Sequence, residues 1–393
     1  MAFESTLKKS FIMKEGFEDY LRQRRESSDS LVFNISLNHE TAFFHYDREF
    51  IDLIASLTSK NAKLQSLYDS LPPFALKRMK TECLINDIQS TNSIEHIYST
   101  KKEIHLLLED IQKSKDERLS SIVNKYHLLM DDKTETHFKD PQAIRKAFDS
   151  LMAGAISKED LPDGVLFRKG PVYISNGLKA VHEGSYPEEK IIQDLQQSLN
   201  LLNDASINPY IRLALFHYLF ENIHPFSDGN GRTGRYLLSA FCKQEISPIL
   251  CFMISSAISD KKKEYYRAFQ DTEDPRNHGD LTTFVYPFLE LLSDYLDKVI
   301  QELQDRKQEL EVFEVSLKEN KVTYTQGEQL ILTVMKSASL FGGLGLAAKD
   351  IQSMTGLSYK TVLRSLAFFE EKGLLHRESY GNHRIYSLSK SNG

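Results

Sequence analysis

The chain has 393 residues, 41% of them hydrophobic, and a formal net charge of −6. Length and composition predict about two or three domains with enough apolar side chains for sizeable cores. The net charge excludes a generally basic nucleic-acid coat. No run approaches the roughly eighteen apolar residues of a membrane span, so no membrane association is predicted.

The cysteines and the start of the chain bear on its compartment. Cys83, Cys242 and Cys251 are odd in number and lie in apolar helical contexts, which predicts buried thiols in a reducing environment. The chain opens Met1-Ala2-Phe3-Glu4 without the apolar segment of a secretion signal. Together these features predict a cytoplasmic protein.

The N-terminal part is predicted to be helical after a polar start. Residues 1–30 carry Arg22, Arg24 and Arg25 beside a Ser/Asp cluster, which favours a partly disordered or solvated arm. Helices are predicted at 43–57, 62–71 and 74–88, with Pro72-Pro73 as a break. Residues 90–93, S-T-N-S, are typical of a loop or an N-cap.

The middle of the chain changes from helical to β-prone and back. Residues 97–160 are predicted to be mostly helical. Residues 167–174 and 180–182 lie in a segment punctuated by glycine and predict a β-hairpin. Helices are then predicted at 188–203 and 209–223, and the second is apolar at helical spacing.

The most informative stretch is residues 224–235, H-P-F-S-D-G-N-G-R-T-G-R. It lies between that apolar helix and a second apolar run, 236–241, so it is predicted to be a tight loop between buried helices. Its glycines let backbone N–H groups converge beside the positive N-terminal end of the following helix. Arg232 and Arg235, three residues apart, share one face of that helix. The stretch predicts a polyphosphate cradle with a titratable base, His224, at its edge.

Two other phosphate-binding patterns match the same stretch without their structural context. Gly229, Gly231 and Gly234 fit G-x-G-x-x-G, and residues 229–235 resemble a P-loop with Arg in place of Lys. Both folds require a β-strand directly before the glycines, whereas a helix is predicted here. A dinucleotide fold and a P-loop fold are therefore disfavoured.

Two further regions complete the chain. Residues 288–326 contain neither Gly nor Pro and predict one long connecting helix, broken near Asn320. Residues 326–393 carry eight Lys or Arg against five Asp or Glu, a net charge of +3. This last region predicts helices at 329–339, 347–355 and 359–372, and then two strands about a Gly381-Asn382 turn.

The 224–235 string resembles the signature of the Fic family, H-P-F-x-D/E-G-N-G-R-x-x-R, with every specified position filled. Fic proteins are mostly α-helical and typically transfer AMP from ATP to a hydroxyl group of a target protein. The resemblance implies that His224 is the general base for that hydroxyl and that Asp228 holds a Mg²⁺ ion. It also implies phosphate ligands at five positions: Gly229, Asn230, Gly231, Arg232 and Arg235. An imidazole with a pKa near 6.5 suits a base at neutral pH.

Other stretches gain a meaning from the same resemblance. Thr91 and Glu95 fit the S/T-x-x-x-E-G/N inhibitory motif of many Fic proteins, although His96 stands where Gly or Asn is usual. The resemblance implies that Glu95 pairs with Arg235 and keeps the γ-phosphate from its productive place. It also implies that the β-hairpin is a flap that holds the target segment by main-chain pairing.

The tyrosine pair Tyr265 and Tyr266 is expected to border an adenine pocket, since Fic proteins often carry an aromatic residue there. Core packing is the alternative interpretation of both residues.

The C-terminal helices and strands resemble a winged-helix domain. In such a domain Tyr359, Lys360 and Arg364 of the third helix would face a DNA groove. The charge of this region is modest, so protein docking, homodimer formation included, stays open as an alternative.

We therefore predict a mainly α protein, a Fic-type helical bundle with a small β-hairpin flap and a C-terminal winged helix. The predicted parts are an N-terminal helical region with the inhibitory motif (1–120), a catalytic core (121–300), a connecting helix (301–325) and a winged-helix domain (326–393). The predicted function is a protein adenylyltransferase that uses Mg·ATP and a Ser, Thr or Tyr hydroxyl of a target protein or of itself. Two alternatives stay open: a de-adenylylating hydrolase in which Glu95 orients water, and a DNA-binding regulator that senses nucleotide.

Overall fold

The computed structural model describes residues 16–37, 40–109, 117–131, 137–175, 180–319, 324–342, 345–380 and 383–389. The described chain is mainly α-helical with a few short strands, which confirms the predicted fold class. It divides into two compact units. The first contains the described residues up to Asn61 and Leu84–Leu296; the second contains Ala62–Cys83 and the described residues from Asp297 onward. The four-part division made from the sequence stays a prediction.

Twelve α-helices are described between Phe17 and Glu319. In chain order they are α1 (Phe17–Glu26), α2 (Arg48–Asp69), α3 (Pro73–Ile94), α4 (Lys101–Glu109), α5 (Glu117–Leu128), α6 (Pro141–Leu151), α7 (Glu188–Leu202), α8 (Pro209–Ile223), α9 (Asn230–Glu245), α10 (Ile254–Asp260), α11 (Lys262–Glu273) and α12 (Thr282–Glu319). Within the described residues, no helix is both long enough and apolar enough to cross a lipid bilayer.

Helix α8 lies at the centre of the first unit. It begins where the Asn208 side chain accepts a hydrogen bond from the Tyr210 N–H at 3.0 Å, with Pro209 at the first helical position. Side chains on all its sides are buried; Leu213 and Phe216, for example, are fully buried. A helix that is apolar all round belongs in a core. The loop that follows α8 is therefore held by buried structure.

The N-terminal region corrects two expectations from the sequence. Residues 40–45 form a strand, β2 (Glu40–His45), which pairs antiparallel with β1 (Ser30–Leu37), whereas a helix was predicted from residue 43. Phe43 is fully buried; its N–H donates to Gly279 O at 3.0 Å and its carbonyl accepts from Leu281 N–H at 2.8 Å. Hydrogen bonds to a distant segment override local helix propensity here.

An arm was expected over residues 1–30, of which 1–15 lie outside the described residues. Helix α1 forms within the described part, and one arginine of its charged run is not solvated. Arg24 is 6% exposed and donates hydrogen bonds to Asp280 at 2.8 Å and to Asp47 at 2.9 Å. A buried guanidinium is tolerated when carboxylates match its donors. The charge run therefore anchors the N-terminal helix to the first unit.

A short hairpin precedes helix α7 in the first unit, as the sequence predicts. Strand β3 (Tyr173–Ser175) pairs antiparallel with β4 (Ala180–Glu183). Its base is joined to the end of α8, because Ser185 N–H donates to Ile223 O at 3.0 Å. The hairpin thus lies beside the loop that contains residues 224–235.

The second unit contains three helices and a small sheet from Gln326 onward. They are α13 (Gln326–Gly342), β5 (Leu346–Ala347), α14 (Ala348–Thr355), α15 (Tyr359–Glu371), β6 (Leu375–Tyr380) and β7 (His383–Leu388). The strand order is β5-β7-β6, with antiparallel pairing throughout. The predicted Gly381-Asn382 turn lies outside the described residues, and the winged-helix assignment stays a prediction.

Candidate functional site

The candidate site is built on the loop between α8 and α9. Helix α8 ends at His224, whose φ of 52° and ψ of 63° turn the chain out of the helix. The His224 Nδ1 atom lies 3.2 Å from the carbonyl oxygen of Glu221. Because a carbonyl oxygen only accepts, this contact favours the tautomer with the proton on Nδ1 and the lone pair on Nε2. That tautomer is the one a general base at Nε2 requires.

Phe226 and Asn230 fix the shape of the loop. The Phe226 ring stacks on Phe148, with centroids 3.7 Å apart. The Asn230 side chain accepts from Phe226 N–H at 2.9 Å and donates to Phe226 O at 2.8 Å. Asn230 is 2% exposed, so its amide braces the loop in this structure. Its predicted contact with phosphate stays a prediction.

Gly229 and Asp228 form the turn into α9. Gly229 has a φ of 83°, in the region that favours glycine, and an added Cβ would lie 3.1 Å from Met152 Sδ. The Gly229 N–H donates to Asp228 Oδ1 at 2.6 Å, and the Asp228 side chain keeps 55% of its exposure. Asp228 is therefore an accessible carboxylate at the edge of the loop.

Arg232 presents buried donors at the start of α9. Its side chain is 3% exposed, and its Nη2 lies 3.3 Å from Asp228 Oδ2. Its Nε and Nη1 atoms are buried without a hydrogen-bond partner among the described residues. Burial lowers the pKa of Arg232, and the carboxylates of Asp228 and Glu95 offset part of that effect. Unmatched buried donors on a cation suit an anionic ligand.

Arg235 is matched by the two residues that the sequence singled out upstream. Its Nη2 donates to Glu95 Oε1 at 2.7 Å, and its Nε donates to Thr91 Oγ1 at 2.8 Å. An added Cβ on Gly231 would lie 2.2 Å from the same Glu95 oxygen, so the carboxylate rests against the backbone of the first turn of α9. Burial alone would raise the pKa of Glu95, but Arg235 and other nearby cations hold it below its usual value.

The end of α3 delivers Glu95 to this position. Residues 90–93 are helical, so the loop or N-cap interpretation of them was wrong. Immediately after Glu95, His96 has a φ of 58°, the left-handed conformation for which Gly or Asn is favoured. Lys262 Nζ donates to the last helical carbonyl, Ile94 O, at 2.9 Å. His96, which stands where the motif usually has Gly or Asn, therefore adopts the backbone conformation that those residues favour.

A buried polar group beneath the site was not anticipated from the sequence. His217 is fully buried; its Nε2 lies 2.8 Å from Tyr265 Oη and its Nδ1 lies 3.9 Å from Glu221 Oε1. Burial lowers the pKa of His217 to about 3 and raises the pKa of Glu221 to about 8. The available signal was spacing, since residues 217, 221 and 224 fall on one face of α8.

The two tyrosines of the expected adenine pocket occupy different environments. Tyr265 is 3% exposed and bonded to His217, whereas Tyr266 keeps 42% of its exposure. The Tyr266 ring lies 5.8 Å from the Lys262 ammonium. Core packing therefore accounts for Tyr265 in this structure, and Tyr266 is the accessible member of the pair.

The described residues contain no cluster of three or more His, Cys, Asp or Glu side chains that could hold a metal ion. Asp228 is instead a single carboxylate beside the phosphate cradle that the sequence predicts. Mg²⁺ is commonly held by one or two carboxylates with substrate phosphates and water. Asp228 fits that role, because both its oxygens retain lone pairs beyond the contacts they make.

The three candidate residues of the C-terminal unit share one face of α15. Tyr359, Lys360 and Arg364 are exposed, whereas Val362 and Leu366 of the same helix are buried. This exposed face is available to a partner, and the identity of that partner stays a prediction.

Comparison with known sequences places residues 158–242 within the model of the Fic/DOC family. The protein adenylyltransferase Fic of Drosophila ananassae is 25% identical over 264 residues, which cover 63% of this chain and 46% of the relative. That of Drosophila melanogaster is 24% identical over 264 residues, with 63% and 47% covered. The chain thus spans about half the length of the curated relatives it matches.

Comparison with solved structures supports the fold. A Fic family protein from Desulfovibrio desulfuricans G20 superposes with a TM-score of 0.55 and 22% identity, covering 88% of this chain and 98% of that chain. At this identity the likeness concerns the fold alone. It extends over more of the chain than the family model does.

Proposed function

Since this chain contains a domain of the Fic family, we propose that it is a protein adenylyltransferase. It would transfer AMP from Mg·ATP to a Ser, Thr or Tyr hydroxyl of a target protein, or of the chain itself. The observation that carries the proposal is the buried Arg232 guanidinium at the start of α9, whose Nε and Nη1 find no hydrogen-bond partner in the part of the chain that the structure describes. These donors lie one turn from Arg235, at the positive end of a sixteen-residue helix, where a polyphosphate is favoured.

The phosphate chain is proposed to lie along the first turn of α9. The backbone N–H groups of Gly229 and Gly231 and the guanidinium groups of Arg232 and Arg235 would be its ligands. Asp228 would hold the Mg²⁺ ion, which would neutralise charge on the phosphates when bound. Tyr266 would border the adenine. Asn230 supports the cradle by holding the loop backbone at Phe226.

His224 is proposed to act as the general base. The Nε2 lone pair takes the proton of the acceptor hydroxyl while its oxygen forms a bond to the α-phosphorus. The bond from the α-phosphorus to the oxygen that bridges to the β-phosphorus breaks, and pyrophosphate leaves. The contact of Nδ1 with Glu221 O at 3.2 Å keeps the imidazole in the tautomer that this step uses.

Glu95 is proposed to inhibit this reaction from within the chain. Its Oε1 accepts a hydrogen bond from Arg235 Nη2 at 2.7 Å, and the carboxylate lies against Gly231, where a phosphate would otherwise bind. Arg235 cannot serve the Glu95 carboxylate and a γ-phosphate with the same donors. ATP bound in this state would keep its α-phosphate out of line with the attacking hydroxyl.

Labelling the full chain with two forms of ATP tests the proposal. With Mg²⁺ and α-labelled ATP, we expect label on the protein, whereas γ-labelled ATP should leave none. Label from the γ-position would mean phosphorylation, and binding of ATP without labelling of the chain or of proteins in an extract would contradict transfer. Loss of AMP from pre-labelled protein without ATP, abolished by Glu95→Gly, would support the reverse, hydrolytic reaction instead.

For the C-terminal unit we propose a DNA-binding role, carried by the exposed Tyr359, Lys360 and Arg364. Retention on duplex DNA should weaken steeply with salt, because phosphate contacts release counterions. Lys360→Ala and Arg364→Ala should each reduce the salt slope by about one. A chain that ignores DNA at low salt would favour protein docking or homodimer formation.

A further inference from the structure

Arg168 is a buried arginine whose hydrogen-bond partners are carbonyl oxygens. It is 2% exposed. Its Nε donates to His224 O at 2.8 Å, and its Nη2 also contacts Ile223 O at 3.3 Å. Its Nη1 donates to Gly170 O at 2.6 Å, and Nη2 donates to Ser185 O at 2.8 Å. One guanidinium therefore contacts carbonyl oxygens from three separate stretches of the chain.

These carbonyl groups belong to two parts of the proposed site: the end of α8, and the hairpin that the family resemblance implies holds the target segment. Ile223 and His224 end helix α8 and include the proposed base. Gly170 precedes β3 and Ser185 follows β4, so they are the two sides of the base of the hairpin. A cation at the last carbonyls of a helix is also favoured by the helix dipole. A planar group with five fixed donors can hold both pairs at once, which a lysine cannot.

The surrounding backbone is built around this side chain. An added Cβ on Gly184 would lie 2.6 Å from Arg168 Nη2 and 3.0 Å from Ile223 O. Main-chain hydrogen bonds run alongside, from Ser185 N to Ile223 O at 3.0 Å and from Arg168 N to Pro225 O at 3.3 Å. Burial lowers the pKa of Arg168, partly offset by Glu183, so its placement carries an electrostatic cost.

We propose that Arg168 is a positioning residue that fixes the β3–β4 hairpin and His224 as one unit. The acceptor hydroxyl presented by the hairpin then arrives within reach of the imidazole. This inference rests on the proposed adenylyltransferase function. The bonds of Arg168 end on α8 and the hairpin, whereas the proposed phosphate ligands lie on α9. Loss of Arg168 should therefore affect the transfer step and spare ATP binding.

The test compares four variants of the full chain with the parent. Arg168→Met removes all the donors, Arg168→Lys keeps the charge with one nitrogen, and Gly184→Ala disturbs the contact while keeping Arg168. The matched control is Arg212→Met, because Arg212 is a buried arginine at the other end of α8 that donates to Leu202 O at 3.0 Å. Self-labelling is measured over a titration of α-labelled ATP, together with the melting temperature.

We expect Arg168→Met to lower kcat by about 10- to 100-fold, the scale of a misplaced reacting group, with KM for ATP changed less than about twofold. Arg168→Lys should fall between Arg168→Met and the parent, and Gly184→Ala should lower kcat in the same direction. Arg212→Met should lose stability but keep its kcat below its own melting temperature. Equal kcat for Arg168→Met and the parent, or an equal fall in Arg212→Met, would overturn the inference.

A second measurement separates this inference from the proposed function. Amide hydrogen exchange at 183–185 and 223–226 should become faster in Arg168→Met and not in Arg212→Met. If the parent chain labels no protein, the adenylyltransferase proposal fails, and exchange alone decides whether Arg168 joins the two segments. Unchanged exchange at both segments would overturn the joining role.

Discussion

Arg232 and Arg235 mark two regions of the candidate site, which differ in the hydrogen-bond partners of a buried guanidinium. Arg235 is matched within the chain by Thr91 and Glu95, at 2.8 and 2.7 Å. Among the described residues, Arg232 contacts the exposed Asp228 carboxylate at 3.3 Å, and its Nε and Nη1 have no hydrogen-bond partner there. The first turns of α9 thus carry one guanidinium whose donors are matched by the chain, Arg235, and one with unmatched donors that suit an anion, Arg232. We therefore expect the proposed inhibitor, Glu95, to block Arg235 while Arg232 stays able to bind a nucleotide phosphate.

The largest effect is expected from removing the proposed general base, a change that leaves both arginines in place. His224→Ala should lower the rate of transfer by about 10²- to 10⁴-fold, because the acceptor loses its base. ATP affinity should stay within about twofold of the parent, since the imidazole acts on the hydroxyl and not on the phosphates. Labelling kinetics and nucleotide binding measured side by side check this. Retention of more than half of the activity would remove His224 from the mechanism.

Glu95→Gly should free donors of Arg235, so that both arginines can bind phosphate. A charge-assisted hydrogen bond contributes about 1.5–3 kcal/mol, so freeing Arg235 should raise self-labelling by roughly 10- to 150-fold. Glu95→Gln should fall between, because it keeps the shape and loses the charge. Arg235→Met should not be activated, since it also loses the phosphate ligand. Equal labelling by Glu95→Gly and the parent would refute the inhibitory role.

The two arginines should also differ in what they do for the nucleotide-free protein. Arg235→Met should lower the free energy of unfolding by about 1.5–3 kcal/mol, because it leaves Thr91 and Glu95 without their donor. Arg232→Met should change it by less than about 1 kcal/mol, because an exposed carboxylate is its contact. Urea unfolding without nucleotide checks both. Equal losses for the two variants would remove the distinction between the two sides.

A pH dependence of stability is expected from Glu221, because burial raises its pKa to about 8; the Arg235 guanidinium lowers this pKa and the Glu95 carboxylate raises it. Between an ordinary carboxyl pKa and about pH 8, the folded chain holds a proton at Glu221 that the unfolded chain has released. The contribution of Glu221 to stability therefore falls as pH rises through this window, by up to about 1.4 kcal/mol per pH unit, and levels off above it. Unfolding of Glu221→Gln from pH 5 to 9.5 should lack this slope. An identical slope in variant and parent would place the proton elsewhere.

What the sequence revealed about the site depended on how local the interactions are. The 224–235 loop was anticipated because its glycines, its proline and the flanking apolar helices lie within one short stretch. The proposed role of Arg168 was not anticipated. Its carbonyl partners His224 and Ile223 lie 56 and 55 residues away, and any residue type supplies a carbonyl. A main-chain partner leaves no mark in the sequence.

The fold follows the same rule. Helices with a continuous apolar pattern, such as α8, were predicted close to their observed bounds. Strand β2 was missed although its partner β1 is its neighbour in the chain, and the further hydrogen bonds of Phe43 to Gly279 and Leu281, far along the chain, leave no local pattern. Residues 90–93 were taken for a loop because small polar side chains favour caps, yet here Thr91 and Asn92 are buried in tertiary contacts that hold the helix.

The backbone at His96 carries a consequence for how tightly the chain restrains itself. A non-glycine residue at a φ of 58° stores about 1–2 kcal/mol that glycine would not. That strain lies next to Glu95, so we expect it to work against the grip of the carboxylate on Arg235. We then expect His96 to permit a low basal rate of the proposed transfer even when Glu95 is bound to Arg235. We expect His96→Gly to remove this strain and to lower the basal rate of the proposed transfer, with the charges of Glu95 and Arg235 unchanged.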